Sequence, residues 1–348
     1  MANIKKEILE KAYRLICTAR SLSSIYEANK EITSKYVHAT SKGHEVIQIA
    51  LALQLKNHDW VSPYYRDDSI LLGIGIKPYE LMLQLMCKKD DPFSGGRTYY
   101  SHPSLKRDNM PKIIHQSSAT GMQAIPTTGI ALGLRYKLKN NFKDTELEKN
   151  PIVVCSFGDA SITEGEVAEA FQMASLKKLP ILYLVQDNEW DISAHASETR
   201  AVDAATYAKG FGIKSYSIDG TNFEESYNII TKSISEIRKN SHPILVHAKV
   251  PLLNHHTSGV RMEWYRDDLE QAKKDDPFPK LEKLLIDNNF QESKLNEIKK
   301  EIDKEIVEEF KKAMEAADPE PEDLFKYKFS PTDINKEVGK RSPENKES

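Results

Sequence analysis

The chain has 348 residues, a net charge of −3, 39% hydrophobic residues and 29% charged residues, which predicts a globular protein with one large α/β domain or two domains. This charge gives no electrostatic case for binding nucleic acid or an anionic membrane surface, and no apolar segment is long enough to span a bilayer. Cys17, Cys87 and Cys155 are far apart and have neither metal-binding nor disulfide spacing, so a cytoplasmic location is expected.

The first part of the chain is predicted to be helical. Apolar residues recur with helical spacing over residues 3–28, 44–56 and 79–89. The first of these segments starts basic but contains Glu7 and Glu10 and lacks a continuous apolar region. We therefore expect an amphipathic helix of the mature protein, not a signal or transit peptide.

A long segment without periodicity separates these helices from the centre of the chain. Residues 90–112 are rich in Pro, Gly and aromatic residues, and a loop of this length is usually functional or disordered. Residues 117–139 then pass from small residues into a predicted helix that packs through its glycines and alanines.

The centre of the chain predicts a parallel sheet. Residues 151–157 and 180–186 are strands that are apolar on both faces, and the amphipathic segment 164–178 joins them as a helix. Such βαβ units belong to sheets that are covered on both sides. Two further strands with a connecting helix follow at residues 213–219, 223–238 and 243–250. The predicted fold class is α/β, a doubly wound parallel sheet flanked by helices, with helical extensions at both termini.

The C-terminal part is charged. Residues 292–316 are predicted to form a long, mostly solvated helix. From Asp318 onward Pro, Lys, Glu and Ser dominate, and such a segment cannot bury enough apolar area to fold alone. The expected organisation is one domain over residues 1–317 and a disordered tail or linker over residues 318–348.

Two polar residues follow neighbouring strands of the predicted sheet. Asp159 directly follows the first strand, and Asn188 follows the second strand, 29 residues further on. Since ligands bind beyond the carboxyl ends of parallel strands, these two oxygen ligands suit Mg²⁺. The helix that starts near Glu164 favours an anion at the same place. The pattern alone leaves open an alternative in which Asp159 only caps a helix and Asn188 only forms a turn.

The segment "GDASITEGEVAEA…LPILYLVQDNEWDIS" resembles the thiamine-diphosphate signature, which opens with Gly-Asp-Gly and closes with Asn-Asn. The Glu-Gly pair and the ending Asn-x-aromatic-x-Ile-Ser resemble the alpha subunit of the decarboxylating component of 2-oxo-acid dehydrogenase complexes. This similarity covers roughly residues 10–310. It implies the thiamine-diphosphate-binding fold, with Mg²⁺ held by Asp159, Asn188 and the backbone carbonyl of Trp190. It also places residues next to the cofactor: Gly158, Ala160 and Ser161.

The sequence departs from the family pattern at three positions. Ala160 replaces the second Gly of the signature, which still leaves room for a close backbone approach. Asp187 replaces the first Asn, and its extra carboxylate is expected to point away from the diphosphate or to pair with a cation. Gln186 stands where branched-chain members often have an arginine, so one of their phosphate contacts is expected to be absent.

Two other segments resemble phosphate-binding parts of the family. In "WVSPYYRDDSILLGIG", Arg66 offers a bidentate fork to phosphate and Tyr65 a hydroxyl donor. The alternative is a surface arginine paired with Asp67 or Asp68.

"HAKVPLLNHHTSGVRMEWYR" resembles a mobile loop that carries a His followed by Ser or Thr. A near-neutral pKa would fit His256 for proton transfer and for phosphate contact. Thr257 matches a hydroxyl that is sometimes phosphorylated in relatives. The alternative is a solvent-exposed pair formed by His255 and His256.

The remaining candidates come from the resemblance alone. Ser118 and the backbone near Thr120 match the segment that touches the aminopyrimidine of the cofactor. His102 matches the substrate channel and His38 the substrate pocket. His44 replaces a Gln at the start of a family helix, and both His38 and His44 could equally be structural.

The resemblance implies an enzyme that oxidatively decarboxylates a 2-oxo acid and transfers the acyl group to the lipoyl group of a partner acyltransferase. Alpha subunits lack the glutamate that activates the cofactor, so this chain alone is expected to be inactive and to need a beta subunit. An α₂β₂ heterotetramer or an alpha–beta fusion is expected. Overall likeness favours a branched-chain substrate, 2-oxoisovalerate, while a pyruvate or acetoin enzyme remains possible. The sequence also leaves open a transketolase-like half, which the Tyr-Arg and His-Thr segments disfavour, and a non-catalytic subunit.

Overall fold

The structure is a computed structural model that describes residues 4–114, 117, 119–142 and 147–326. Its strands are β1 (Trp60–Ser62), β2 (Lys112–Ile113), β3 (Val153–Gly158), β4 (Ile181–Asp187), β5 (Trp190–Asp191), β6 (Ala194–His195), β7 (Lys214–Asp219) and β8 (Ile244–Lys249). Its α-helices are α1 (Lys6–Ala28), α2 (Lys30–Thr33), α3 (Glu45–Ala52), α4 (Asp68–Ile74), α5 (Pro78–Leu85), α6 (Ala124–Lys139), α7 (Gly165–Lys177), α8 (Ala196–Thr199), α9 (Ala204–Gly210), α10 (Phe223–Asn240), α11 (Leu269–Lys274), α12 (Pro277–Asp287) and α13 (Glu292–Glu315).

The centre of the fold is a six-stranded sheet in the order β2-β1-β3-β4-β8-β7, in which every pairing is parallel. The four strands predicted from the sequence all form, with ends that differ by at most two residues from the prediction. The predicted α/β class is therefore confirmed. Strands β1 and β2 were not predicted, and β5 and β6 form a separate small antiparallel pair.

Both faces of the sheet are covered by helices. Along β4, Leu182 and Leu184 belong to an apolar core shared with α1, α3, α10 and α13, while Tyr183 and Val185 belong to a second core shared with α6, α7 and α9. All four side chains are fully buried. Burial of one such side chain contributes about 1.5–3 kcal/mol, which explains why this strand is apolar at every position.

Of the small residues in α6, the alanines pack into the core but the glycines do not. Ala124 and Ala131 are buried in the second core. Gly129 and Gly133 are exposed instead, and a Cβ atom added at either position would meet no atom within 4 Å. The prediction that the glycines pack this helix is therefore wrong within the described residues.

The C-terminal helix covers the first core with a single stripe. Ile298, Ile302, Ile306 and Phe310 of α13 are buried, and the rest of its surface is mostly polar, as predicted. Beyond it, within the segment assigned to a tail, residues 321–325 form a 3₁₀ helix, and Lys88 pairs with Asp318 at 2.9 Å. The remaining residues of that tail, 327–348, lie outside the described part of the chain. Across the helices that the structure describes, none combines the length and the apolar content that crossing a bilayer requires.

Four loops meet at the carboxyl edge of the sheet because the strands are parallel and in register. The register pairs Gly158 of β3 with Gln186 of β4, so the residues that follow these strands emerge side by side. The loops after β1 and β8 leave the same edge, and they carry Arg66 and His256. Side chains that lie far apart in the sequence are thereby brought to one place.

Candidate active site

A cavity of about 320 Å³ lies at this edge, and it collects the predicted site residues. Its walls include His38, Tyr65, Arg66, His102, Thr120, Gly158, Asp159, Ala160, Ser161, Asn188, Trp190 and His256. Thr257 also lines it. Ser118, the remaining candidate, lies outside the described residues.

Asp159 and Asn188 lie together, as the positions of their strands predict. The Asn188 N–H donates to Asp159 Oδ1 at 3.4 Å, and Asn188 Oδ1 accepts from the Trp190 N–H at 3.0 Å. Both residues are buried. The Asp159 side chain does not cap the 3₁₀ helix at residues 160–163 that follows it, so the capping interpretation fails for Asp159. Asn188 does form a hydrogen bond within its own turn, with the Trp190 N–H, but it also lies against Asp159.

The guanidinium of Arg200 forms hydrogen bonds with two buried carboxylates, those of Asp159 and Asp187. Arg200 Nη1 donates to Asp159 Oδ2 at 2.7 Å, and Nη2 donates to the two Asp187 oxygens at 2.7 and 2.9 Å. His247 Nε2 lies 2.6 Å from Asp187 Oδ2. Asp187 therefore pairs with a cation, which is one of the two outcomes expected for this departure from the family pattern.

The two carboxyl groups are perturbed in opposite directions. Burial raises the pKa of Asp159, and the neighbouring Asp187 carboxylate raises it further, although Arg200 acts in the opposite sense. Burial would also raise the pKa of Asp187, but hydrogen bonds from His247 and Arg200 outweigh it and hold that pKa low. The single positive charge of Arg200 is shared by the two carboxylates, so one negative charge remains. A divalent cation placed against Asp159 would compensate it.

The oxygen atoms at this place suit a hard cation. A carboxylate and an amide oxygen are ligands that Mg²⁺ accepts, and it completes its shell with phosphate oxygens and water. Within the described ranges, no group of three or more His, Cys, Asp and Glu is arranged to hold a metal ion. A site built from one carboxylate, one amide and one backbone carbonyl is of a different kind, and its charge would be completed by a ligand.

Arg66 is buried and has no acidic partner among the residues that the structure describes. Its side chain donates to the backbone carbonyls of His256 at 3.1 Å and His255 at 3.5 Å, and its Nε atom has no hydrogen-bond partner within the described part of the chain. Its guanidinium lies 5.3 Å from the centre of the Tyr65 ring. Among the residues that the structure describes, no carboxylate lies within salt-bridge distance of it. An anion in the cavity would supply the missing charge.

The alternative of a surface arginine is excluded because Arg66 is only 1% exposed. The two acidic neighbours proposed as its partners have other contacts. Asp67 accepts from the Tyr64 N–H at 2.9 Å, and Asp68 accepts from the Ser41 N–H at 2.9 Å. Both carboxylates point into the protein interior and are fully buried.

His256 lies beside Arg66 in the cavity wall. Its Nε2 atom is 3.4 Å from the Tyr65 hydroxyl, and its Nδ1 atom has no hydrogen-bond partner in the described ranges. Burial and the nearby Arg66 guanidinium lower the pKa of His256 to about 3, so the expectation of a near-neutral pKa does not hold for the cofactor-free protein. An anion bound next to Arg66 would shift that pKa back upward. The alternative of an exposed pair also fails, because His255 is buried.

A buried polar network orients Asn188 from below. The Nε2 atom of His44 lies 3.2 Å from Asn188 Nδ2, and its Nδ1 atom lies 3.0 Å from Gln186 Oε1. Since an amide oxygen only accepts, His44 donates from Nδ1 and accepts at Nε2. Burial, followed by Arg66, lowers the pKa of His44 to about 3, so the ring is neutral. His44 is therefore structural, and it fixes which way the Asn188 amide faces.

Gln186 belongs to this interior network and not to the cavity wall. Its amide oxygen accepts from Gln48 at 2.8 Å, and its nitrogen donates to Asp67 at 2.7 Å and to Ser156 at 2.9 Å. The residue that departs from the branched-chain pattern is thus used to tie β3, β4 and α3 together. Its contacts agree with the expectation that it makes no phosphate contact.

The far end of the cavity is aromatic and partly apolar. His38 Nδ1 lies 2.8 Å from the Tyr36 carbonyl, and His102 Nδ1 lies 2.9 Å from the Tyr100 carbonyl. The His38 ring meets the Tyr100 ring edge-on with centres 6.2 Å apart. Backbone contacts thus fix the orientation of both imidazoles in the cavity wall.

Sequence reasoning missed Arg200 and His247. Arg200 directly follows the four-residue helix α8, a position that has no periodic signal, and His247 lies within the strand β8. The one available signal was Asp187 itself, since a buried carboxylate in place of an amide requires a cation nearby.

Comparisons with known proteins agree with this geometry. Residues 13–322 match the family model of the dehydrogenase E1 component. The chain is 27% identical over 275 residues to a pyruvate dehydrogenase E1 component subunit alpha of Rickettsia bellii, which covers 77% of this chain and 78% of the relative. It is 26% identical over 328 residues to the 2-oxoisovalerate dehydrogenase subunit alpha of Bacillus subtilis, which covers 91% and 94%.

A mitochondrial 2-oxoisovalerate dehydrogenase subunit alpha of Arabidopsis thaliana is 25% identical over 342 residues, covering 96% of this chain and 69% of the relative. The family match extends over nearly the whole described structure, including every loop that lines the cavity. The chain therefore belongs to the dehydrogenase E1 component family.

Proposed function

We propose that this chain is the thiamine-diphosphate-binding alpha subunit of a 2-oxo-acid dehydrogenase. It takes part in the oxidative decarboxylation of a branched-chain 2-oxo acid and in acyl transfer to the lipoyl group of a partner acyltransferase. The observation that carries this proposal is Arg66, a buried guanidinium that has no acidic partner among the described residues and lies in the same cavity as Asp159 and Asn188. A diphosphate would pair with the Arg66 guanidinium, and its divalent cation would pair with the Asp159 carboxylate.

The residues of this chain would bind and orient the cofactor. Arg66 and the Tyr65 hydroxyl hold diphosphate oxygens, while Asp159, Asn188 and the backbone carbonyl of Trp190 hold Mg²⁺. Gly158, Ala160, Ser161 and the backbone near Thr120 form the adjoining wall. When bound, thiamine diphosphate supplies the electron sink that allows carbon dioxide to leave.

His256 is proposed to handle a proton next to the diphosphate. Its imidazole is neutral in the cofactor-free protein, and the unpartnered Nδ1 atom can meet a phosphate oxygen. Negative charge from the diphosphate would raise its pKa and let the ring hold a proton during turnover. Tyr65, at 3.4 Å from Nε2, keeps the ring oriented.

A partner surface is proposed on α6 and α7. Ile125 and Tyr136 of α6 are 40% and 60% exposed, and Leu176 of α7 is 66% exposed. Between the first two, the exposed Gly129 and Gly133 make the helix surface shallow, so that another helix could approach closely. This face is offered to a beta subunit, with an α₂β₂ heterotetramer as the proposed assembly.

The branched-chain substrate is the finer part of the proposal. The relatives are named for both pyruvate and 2-oxoisovalerate, so their names do not decide between the two. Val37 and Ile192 add apolar surface to the cavity beside His38 and His102, and such a surface suits an alkyl side chain. Pyruvate or acetoin is the alternative substrate.

The test is turnover by the chain assembled with a beta subunit, with thiamine diphosphate, Mg²⁺ and an artificial electron acceptor. We expect a higher kcat/KM for 2-oxoisovalerate than for pyruvate or 2-oxobutanoate, and no turnover by this chain alone. A preference for pyruvate would contradict the branched-chain assignment only. Ketol transfer between sugars without 2-oxo-acid decarboxylation would contradict the dehydrogenase proposal as a whole.

A further inference from the structure

Arg200 is a cationic residue that contacts Asp159 in this structure. Its Nη1 atom is 2.7 Å from Asp159 Oδ2, and the side chains of Arg200 and Asp159 are only 11% and 5% exposed. The guanidinium belongs to the residue that directly follows the short helix α8, and it is shared with Asp187. A positive charge of the protein itself therefore already compensates the carboxylate that the proposed function assigns to the metal.

Asp187 is built to hold this guanidinium without help from Asp159. Both of its oxygens accept from Arg200 Nη2, at 2.7 and 2.9 Å. It is fixed in place by the Glu189 N–H at 3.1 Å and by His247 at 2.6 Å. His247 is in turn 3.2 Å from the Ser217 hydroxyl. Of the three Arg200 contacts with carboxylates, only the one to Asp159 would have to break to free that carboxylate.

We propose that Arg200 is a positioning residue that occupies the place of the metal at Asp159 in the cofactor-free protein and withdraws onto Asp187 when the metal binds. Asp187, which stands where the family signature has Asn, is the seat that receives the displaced guanidinium. This inference rests on the proposed function, in which Asp159 is a metal ligand.

The arrangement makes the site selective for a metal that arrives with a diphosphate. A bare divalent cation must displace Arg200 and then remain next to it, so two positive charges repel each other in a buried place. A cation that carries a diphosphate brings negative charge with it, which offsets this repulsion and also satisfies Arg66. The site should therefore bind free metal weakly and the metal–diphosphate complex well.

The test measures Mn²⁺ binding by electron paramagnetic resonance. The sample is the full chain in the assembly that it forms when purified, and no diphosphate is added. Arg200→Gln removes the competing charge, and we expect it to tighten Mn²⁺ binding by about tenfold or more. Arg200→Lys keeps a charge and is the matched control, with weak binding expected as in the unmodified protein. Unchanged or weaker binding by Arg200→Gln would overturn the proposal.

A second variant, Asp187→Asn, addresses the seat, and unchanged binding of Mn²⁺ with pyrophosphate by this single variant would contradict the seat even if Arg200→Gln is unstable. We expect Asp187→Asn to weaken binding of Mn²⁺ with inorganic pyrophosphate, because the displaced Arg200 guanidinium then has no second carboxylate to pair with. The same substitution in the Arg200→Gln background should have a much smaller effect, and equal effects in both backgrounds would contradict the seat. Thermal unfolding of each variant shows whether it is folded.

Failure of this inference can be told apart from failure of the proposed function. Asp159→Asn should abolish Mn²⁺ binding with pyrophosphate if Asp159 is a metal ligand. If Asp159→Asn has no effect, the metal site is misplaced and the proposed function loses its cation. If Asp159→Asn abolishes binding while Arg200→Gln changes nothing, the metal site stands and only the role of Arg200 is wrong.

Discussion

Replacement of Arg66 by Met separates cofactor binding from stability. The side chain is 1% exposed, contacts two backbone carbonyls and has an unpaired Nε atom. Replacing buried charged groups by apolar side chains of similar volume, measured for buried ion pairs, can stabilise a protein by roughly 1–4 kcal/mol, whereas leaving two carbonyls unpaired costs about 1–3 kcal/mol each. These opposing effects nearly cancel, so the free energy of unfolding of the cofactor-free protein should change by less than about 2 kcal/mol.

Binding should respond far more strongly. Two charge-assisted hydrogen bonds to phosphate contribute about 1.5–3 kcal/mol each, so Arg66→Met should weaken thiamine-diphosphate binding by roughly 100-fold or more. Arg66→Lys is the matched control: it keeps the charge but loses the fork, and an intermediate loss is expected. Affinity would be measured by calorimetry in the presence of Mg²⁺, and stability by denaturant unfolding.

Two results would refute this reasoning about Arg66. Unchanged affinity in Arg66→Met would mean that the buried guanidinium does not meet the diphosphate. A large loss of stability in the cofactor-free protein would mean that Arg66 is a structural residue, and that its two carbonyl contacts stabilise the loop after β8.

The remaining predictions concern the framework around the site. The neutral His44 gains a proton only on unfolding, so the free energy of unfolding should fall as the pH drops from 6.5 towards about 3. His44→Asn should reduce this pH dependence by up to about 1.4 kcal/mol per pH unit, as measured by denaturant titrations at several pH values. Gly43 has a φ of 102°, and a Cβ atom there would lie 2.0 Å from the Pro251 carbonyl oxygen. Gly43→Ala should therefore lower the thermal midpoint clearly more than Gly75→Ala, which has a similar φ of 115° but open space, and equal losses would mean that only backbone strain matters. Leu176→Lys should leave the fold intact but reduce assembly with a beta subunit in size-exclusion chromatography, and undiminished assembly would argue against the proposed partner surface.

The central sheet could be predicted because its inner strands have a strong pattern. Strands β3 and β4 have six and seven residues and are apolar on both faces, which only a covered parallel sheet requires. Strands β1 and β2 have three and two residues, too few to show any period. They form because the sheet next to them offers unpaired backbone groups, and that information is not local to their sequence.

The candidate site could be predicted where a strand end fixes the position of a residue. Asp159 and Asn188 needed only the parallel register, and the family motifs located Arg66 and His256. Arg200 could not be found in this way, because its place depends on the irregular path of the chain after β4. The low pKa of His256 was also beyond the sequence, since it arises from burial and from Arg66, which is 190 residues away.

The central property of the proposed site is that its cavity binds thiamine diphosphate with a divalent cation through Asp159. The decisive measurement is calorimetric titration of thiamine diphosphate with Mg²⁺ into the chain assembled with a beta subunit. Asp191→Asn is the matched control, since Asp191 also lines the cavity but is not assigned to the metal. We predict saturable binding that Asp159→Asn weakens by roughly 100-fold or more and that Asp191→Asn leaves nearly unchanged. Absence of binding by the unmodified protein, or equal affinity in Asp159→Asn, would contradict the proposed cofactor site.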